Sequence, residues 1–205
     1  MGNTSYKNKA SYENGIVVLG VPFDGNSSYK RGAAKAPGQI RDALFSESSN
    51  LWTENAVDLG AMTGWHIAPD IEFSDEKQVF GKIESEIGSL LKRRSRVIAL
   101  GGDHSITLPV VRALASVYPK LNILHLDAHA DLAEEVFGDR LSHGTVMYLC
   151  LQNGLNKLVQ YGIRSGSKQE YYLRKEDPRI IPTTSLEKIE GVIKEGEKIY
   201  LSRLL

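Results

Sequence analysis

The sequence predicts an α/β fold, a three-layer α/β/α arrangement whose central sheet is mainly parallel. Two observations predict it. Short apolar runs rich in β-branched residues alternate with longer segments of helical periodicity, and most of these runs end at glycine or at polar residues. Parallel strands buried on both faces have this continuous apolar character. Polar residues that follow such strands should therefore gather at the carboxyl edge of the sheet, where α/β proteins form their sites.

The elements follow one another as strand, helix and strand. Pro37 suits the first turn of a helix that ends near Leu44, and Thr107 and Ser185 are placed to open later helices. A further helix covers residues 79–91, where apolar side chains recur at helical spacing. The predicted strands cover residues 16–20, 96–100, 157–163, 180–183 and 198–202, with another starting at Leu121. We expect residues 1–15 to form a flexible leader and residues 16–205 to form one α/β domain.

The composition favours a small-molecule partner. Lysine and arginine together number 25, as do aspartate and glutamate, so no net charge favours nucleic acid or an anionic membrane surface. No apolar run is long enough to span a bilayer. Cys150 is the only cysteine, which excludes an internal disulfide and is typical of a reducing compartment. We expect a cytoplasmic protein that contacts neither nucleic acid nor membrane.

Candidate metal ligands follow two of the predicted strands. Residues 124–131 read LHLDAHAD, and Asp127, His129 and Asp131 occupy alternate positions that share one side of an extended segment. Residues 98–105 read IALGGDHS and end another strand with Asp103 and His104. Either motif alone is also explained by turn chemistry, whereas both together, one helix apart, predict a metal site. Asp103 is a candidate hydrogen-bond acceptor for the His104 ring.

The ligand types indicate a hydrolytic divalent metal. Imidazoles and carboxylates without a thiolate are typical of ions with open positions, and manganese is well suited. Such an ion activates water near neutral pH, so hydrolysis is the reaction expected. His143, in the segment SHGT, is either a proton-transfer residue or an exposed loop histidine. His125 is predicted to be a buried core residue that faces away from Asp127. Asp24, Asn26, Ser27 and Ser28 face a substrate or serve only as turn residues.

Five segments in order resemble the arginase and agmatinase family of ureohydrolases: GVPFDGNSSYKRGAAKAPGQIR, LGGDHSIT, LDAHADL, SHGT and YGIRS. The loop PFDGNSS and the spacing before SHGT are closer to agmatinase-type members. The resemblance implies an arginase-like fold and hydrolysis of a guanidino group to urea and an amine, with agmatine giving putrescine as the first candidate. It also implies the roles of five residues: two manganese ions held by His104, Asp131, His129 and the shared ligand Asp127, and a proton shuttle at His143.

The chain departs from this family pattern after its last predicted strand. The family continues as S-x-D-x-D, whereas Leu204 stands where the first aspartate belongs. We expect a C-terminally truncated domain that lacks the last strand, binds one or no manganese ion and has little activity. Three readings stay open: a guanidino hydrolase, a noncatalytic homologue that pairs with an intact ureohydrolase, and a hydrolase of amides or formimino groups. The expected partners are a small guanidino substrate and either further copies of this chain, in a homo-oligomer, or an intact homologue.

Overall fold

The computed structural model describes residues 12–203. Chain contacts divide it into two compact units, the first comprising the described residues up to Gly25 together with Lys30–Ile106, and the second comprising Asn26–Tyr29 and the described residues from Thr107 onward. Every strand pair within the two units is parallel. The prediction of an α/β fold with parallel strands is therefore confirmed, whereas the single domain spanning residues 16–205 stays a prediction.

The first unit is built on a three-stranded sheet with the order β2-β1-β3. Its elements are β1 (Ile16–Val21), α1 (Ala36–Leu44), β2 (Trp65–Ile67), α2 (Val79–Lys92) and β3 (Arg96–Gly101). Helix α2 buries Val79, Ile83, Ile87 and Leu90, whose spacing places them on one helical face. The burial of this apolar face explains why the periodicity alone was enough to predict the helix.

Gly102 allows two strand ends of the first unit to lie close together. Its N–H donates to the carbonyl of Val21 (3.1 Å), and the next N–H, of Asp103, donates to Phe23 O (2.9 Å). A Cβ at position 102 would lie 1.7 Å from that Phe23 oxygen, so only glycine fits. The segment after β3 is thus held against the segment after β1. This contact fixes the backbone position of Asp103 and of the following His104.

The second unit is built on a four-stranded sheet with the order β6-β5-β4-β7. Its elements are α3 (Thr107–Ala115), β4 (Leu121–Leu126), α4 (Val146–Gln152), β5 (Lys157–Tyr161), α5 (Lys168–Glu176), β6 (Ile180–Thr183), α6 (Leu186–Val192) and β7 (Lys198–Arg203). Buried apolar residues of β4, β5 and α4 form its core, among them Ile123, Leu158 and Met147. Packing of these buried side chains therefore holds β4 and β5, and with them their carboxyl ends, in place.

Three elements of the structure were not predicted from the sequence, namely β2, α4 and α5. Strand β2 is only three residues long, and α5 is mostly polar, so neither has a clear apolar pattern. Among the elements that were expected, Thr107 is the first residue of α3, and Ser185 is the N-cap of α6. Strand β5 ends at Tyr161, two residues before the predicted end, because Gly162 has a φ of 87° and turns the chain.

The predicted leader falls partly outside the described residues, which begin at Tyr12. The Tyr12 side chain is buried, and its carbonyl accepts a hydrogen bond from the Ser95 hydroxyl (2.5 Å). Asn14 donates its N–H to the carbonyl of Arg93 (3.0 Å). Within residues 12–203, no helix has the length and apolar character needed to cross a membrane.

Candidate metal centre

Asp127 and Asp131 lie directly after β4, and both are buried. Asp131 has a φ of 51°, which is uncommon for a residue other than glycine. Its carbonyl accepts hydrogen bonds from the N–H groups of Met147 (2.9 Å) and Tyr148 (3.2 Å), in the first turn of α4. These otherwise unpaired N–H groups hold the strained residue in place. Helix α4, which the sequence did not reveal, therefore positions the second carboxylate.

The two carboxylates and His125 form a compact donor group. Each of the three offers a ligand atom, and these atoms lie within 4.8 Å of one another. Two neighbouring carboxylates that are largely shielded from water repel each other and are costly unless a cation or hydrogen-bond donors offset the charge. A divalent cation meets this requirement, and hard carboxylate oxygens suit Mn2+. The residues present in the second unit thus fit the metal that the ligand types predicted.

His125 corrects one prediction made from the sequence. It is fully buried, as expected, but it does not face away from Asp127, because its Nε2 lies 3.2 Å from Asp127 Oδ2. The prediction was wrong because residues two positions apart in a strand project to the same side. His125 and Asp127 therefore belong to one hydrogen-bonded group at the end of β4.

His129 is oriented differently from the two aspartates. Its side chain is 60% exposed, and its Nδ1 lies 3.4 Å from Asp127 Oδ1. The same oxygen accepts a hydrogen bond from the His129 backbone N–H (2.8 Å). Its ring thus lies beside Asp127 but outside the compact group of His125, Asp127 and Asp131. A ligand role for His129 stays a prediction.

In the first unit, His104 follows β3 in a short 3-10 helix and is buried. The preceding Asp103 accepts two hydrogen bonds at Oδ1, from the Ser105 N–H (2.9 Å) and from the Ser105 hydroxyl (2.5 Å). This is turn chemistry of the kind that aspartate commonly provides. These hydrogen bonds order the turn that precedes Ile106, and the role of Asp103 as an acceptor for the His104 ring stays a prediction.

His143 is held by backbone and hydroxyl groups. It begins a 3-10 helix that precedes α4, and its ring Nδ1 lies 3.1 Å from the carbonyl oxygen of Asn26 and 3.2 Å from Ser142 Oγ. Since a carbonyl can only accept, Nδ1 carries the hydrogen in the Asn26 contact. The other ring nitrogen, Nε2, lies 3.4 Å from Ser28 Oγ. His143 is therefore a half-buried residue with a defined ring orientation.

The polar loop after β1 contains two kinds of residue. Asp24 accepts the N–H groups of Gly32 (2.5 Å) and Ala34 (3.1 Å), so it closes a turn. The Gly32 hydrogen bond is the main reason that the pKa of Asp24 is lowered from 3.8. Asn26 and Ser28, by contrast, contact His143. Nothing in the spacing of the sequence pointed to this pairing, because the two segments are more than a hundred positions apart.

The cysteine takes no part in this chemistry. Cys150 is fully buried in α4, and burial raises its pKa to about 12. A thiol with such a pKa is almost entirely protonated at neutral pH and is not a nucleophile. Cys150 is therefore not a candidate nucleophile.

Comparison with known proteins shows which family and which relatives the chain resembles. The family model described as the arginase family matches residues 14–202. An agmatinase from Bacillus anthracis is 30% identical over 209 residues, with 98% of this chain and 71% of the relative covered. An agmatinase from Halalkalibacterium halodurans is 30% identical, and 85% of this chain and 61% of the relative are covered.

A solved structure extends the agreement to the fold. The arginase from Medicago truncatula superposes with a TM-score of 0.80 at 29% identity, and the match covers 91% of this chain and 64% of the plant protein. The present chain thus spans roughly two thirds of the length of these known proteins.

Proposed function

Because the chain belongs to the arginase family, we propose that it binds Mn2+ and hydrolyses a guanidino compound to urea and an amine. Agmatine is the first candidate substrate, since both sequence relatives described above are named agmatinases. Its hydrolysis would yield putrescine. The observation that carries the proposal is the buried pair Asp127 and Asp131, whose ligand atoms lie within 4.8 Å of each other and suit a divalent cation.

We assign the metal to the residues that the family resemblance selects, namely His104, Asp127, His129 and Asp131. Asp127 and Asp131 are supported by their burial and by the closeness of their ligand atoms. His104 is supported by its burial after β3, and His129 by its position next to Asp127. When bound, Mn2+ would supply Lewis-acid activation of water and of the substrate. Leu204, at the position of a family aspartate, leads us to expect fewer than two ions.

We assign proton transfer to His143. The Nδ1 hydrogen is used in the contact with the Asn26 carbonyl, so Nε2 is the ring nitrogen that exchanges protons. The Ser28 hydroxyl beside Nε2 donates to it in the neutral ring. When the ring is protonated, the same hydroxyl accepts. His143 can then deliver a proton to the departing amine. This step is needed because an unprotonated amine is a poor leaving group.

The decisive experiment measures metal content and urea release on the same purified sample. The chain is loaded with Mn2+, its bound metal is counted, and urea is assayed with agmatine and, separately, with arginine. Formamide and ammonia are assayed with a formimino substrate. Release of urea from agmatine above that of the Asp127→Asn variant supports the proposal.

Three other outcomes contradict the proposal in different ways. Bound Mn2+ without any hydrolysis would favour the noncatalytic partner subunit. Release of formamide or ammonia without urea would favour a formimino or amide substrate. A wild-type sample that binds no Mn2+ would remove the metal centre itself.

A further inference from the structure

We propose that Gln160 and His125 form a buried positioning pair that holds the Asp127 carboxylate ready for the metal. His125 is then a hydrogen-bond donor to the ligand rather than a ligand itself. The inference rests on the proposed function, because it assigns a role toward the same Mn2+. It concerns residues of the second unit only.

The pair is built by strand register. His125 on β4 and Gln160 on β5 are direct partners in the parallel ladder, so their side chains stand on the same face of the sheet. Both residues have no exposed surface. His125 and Asp127 share that side of the chain because they are two residues apart. Three consecutive side chains can therefore form one line from β5 to the end of β4.

The direction of each hydrogen bond follows from the group at one end of the line. Gln160 Nε2 donates to the carbonyl oxygen of Ala130 (2.8 Å), and a carbonyl can only accept. The amide nitrogen, not the amide oxygen, therefore faces Ala130. Its second hydrogen points to His125 Nδ1, 3.2 Å away. Nδ1 must accept this hydrogen bond, so it carries no hydrogen of its own.

The histidine tautomer follows directly. In a neutral imidazole without a hydrogen on Nδ1, the hydrogen lies on Nε2. This Nε2–H donates to Asp127 Oδ2 at 3.2 Å. An Nε2 that holds its hydrogen has no lone pair to offer to a cation. His125 therefore belongs to the compact group of possible ligands by distance but acts on the metal through Asp127.

Asp127 is consequently held from both of its oxygens. Oδ2 receives the His125 hydrogen, and Oδ1 receives the backbone N–H of His129 at 2.8 Å. A carboxylate oxygen can accept from more than one group, and the two donors restrict rotation of the carboxylate. Hydrogen bonds of this kind orient ligands, and their loss typically weakens metal binding by about 10-fold to 100-fold.

The pair is polar where packing alone would favour apolar residues. Gln160 Oε1 is buried and has no hydrogen-bond partner among the described residues. An unsatisfied buried oxygen is unfavourable, and an apolar side chain at position 160 would avoid it. The amide is useful here because its nitrogen connects the Ala130 carbonyl to His125. A positioning role explains why an amide is present here although its oxygen has no hydrogen-bond partner among the described residues.

The test replaces the amide and leaves the ligands unchanged. Gln160→Met keeps a side chain of similar length and removes the donor. The matched control, Gln152→Met, makes the same change at an exposed position on α4. Mn2+ affinity is measured by electron paramagnetic resonance titration on the full chain. We expect Gln160→Met to bind Mn2+ about 10-fold to 100-fold more weakly and Gln152→Met to match the wild type.

A second measurement reads the tautomer in the wild-type chain itself. Nitrogen-15 shifts of the histidine rings in the wild-type chain report the tautomer of His125, whose signal is assigned by its loss in His125→Gln. We expect Nδ1 without hydrogen and Nε2 with hydrogen. Gln160→Glu should place a hydrogen on Nδ1, because a carboxylate at position 160 accepts from Nδ1–H instead of donating to it.

The outcomes separate this inference from the function on which it rests. Equal Mn2+ affinity in Gln160→Met and wild type, or a hydrogen on Nδ1 in the wild type, overturns the positioning pair and leaves the hydrolase proposal intact. Mn2+ binding without urea release overturns the hydrolase, while the affinity comparison still decides the pair. A wild-type chain that binds no Mn2+ overturns both.

Discussion

The donor group after β4 and the His143 segment, both in the second unit, are held in different ways. Asp127 is 1% exposed in its side chain, and its two oxygens accept from His125 and from a backbone N–H. His143 is only half-buried, and its Nε2 lies beside the Ser28 hydroxyl on an exposed stretch of loop. One region is fixed by a buried network, whereas the other is oriented on one side of the ring and open on the other.

This difference matches two different chemical tasks. A metal ligand must be rigid and dehydrated, because disorder in the ligand lowers metal affinity directly. A residue that moves protons must keep one nitrogen accessible, because its proton has to be exchanged in each cycle. The contrast therefore makes a general prediction: changes in the first region should alter metal binding, and changes in the second should alter turnover only.

The largest effect is expected for Asp127→Asn. The amide is similar in shape but removes a charge that the metal requires, so we expect Mn2+ affinity to fall by more than the 10-fold to 100-fold typical of an outer partner. Urea release should fall to background. Titration with Mn2+ and the urea assay measure both effects. Asp42→Asn, on the exposed face of α1, is the control and should leave both unchanged.

His143→Asn should separate turnover from metal binding. Loss of a general acid or base typically lowers kcat by about 100-fold to 10,000-fold. Because His143 is not among the assigned ligands, Mn2+ affinity should stay at the wild-type value. Steady-state kinetics and metal titration on one sample test the comparison. A parallel loss of Mn2+ affinity would mean that the two regions do not have separate tasks.

Ser28→Ala should have a smaller effect on the same step. It removes one hydroxyl from His143 Nε2 while the Asn26 contact with Nδ1 is retained. A single neutral hydrogen bond is worth about 1 kcal/mol, which corresponds to a change in kcat of about five-fold. Ser28→Thr keeps the hydroxyl and should restore most of the activity. Equal kcat values for the alanine, threonine and wild-type chains would show that the hydroxyl has no role.

The smallest effect is expected for Asp24→Asn. This change weakens the turn that Asp24 closes after β1, in the stretch of sequence that also contains Asn26 and Ser28. Hydrogen bonds to the carboxylate lower the folded-state pKa of Asp24 below 3.8. Its stabilisation is therefore present above that ordinary value and is lost as the pH falls through the folded-state pKa.

Acid unfolding followed by circular dichroism measures this contribution. The wild-type chain should be slightly more stable than Asp24→Asn near neutral pH, and the two should converge once the carboxyl is protonated. A stability difference that grows on acidification would contradict the assigned direction of the pKa shift.

The sequence by itself determined the order of the main elements and the residue types at the strand ends. Helix α2 was predictable because its buried residues recur at helical spacing, and β4 because an apolar run precedes Asp127. The closely spaced Asp127, His129 and Asp131 predicted a metal site because ligand types are local properties of the sequence. Helix α4 and the polar α5 have weaker local signals, and the sequence missed them.

Only the tertiary structure decided which side chains work together. Gln160 contacts His125 because β4 and β5 are paired in register, and Asn26 contacts His143 across 117 positions of the chain. It also corrected the direction of His125 and showed His129 to be exposed beside the buried Asp127. Hydrogen-bond partners and burial depend on distances between segments remote in sequence. A local pattern carries information about periodicity and chemistry but none about those distances.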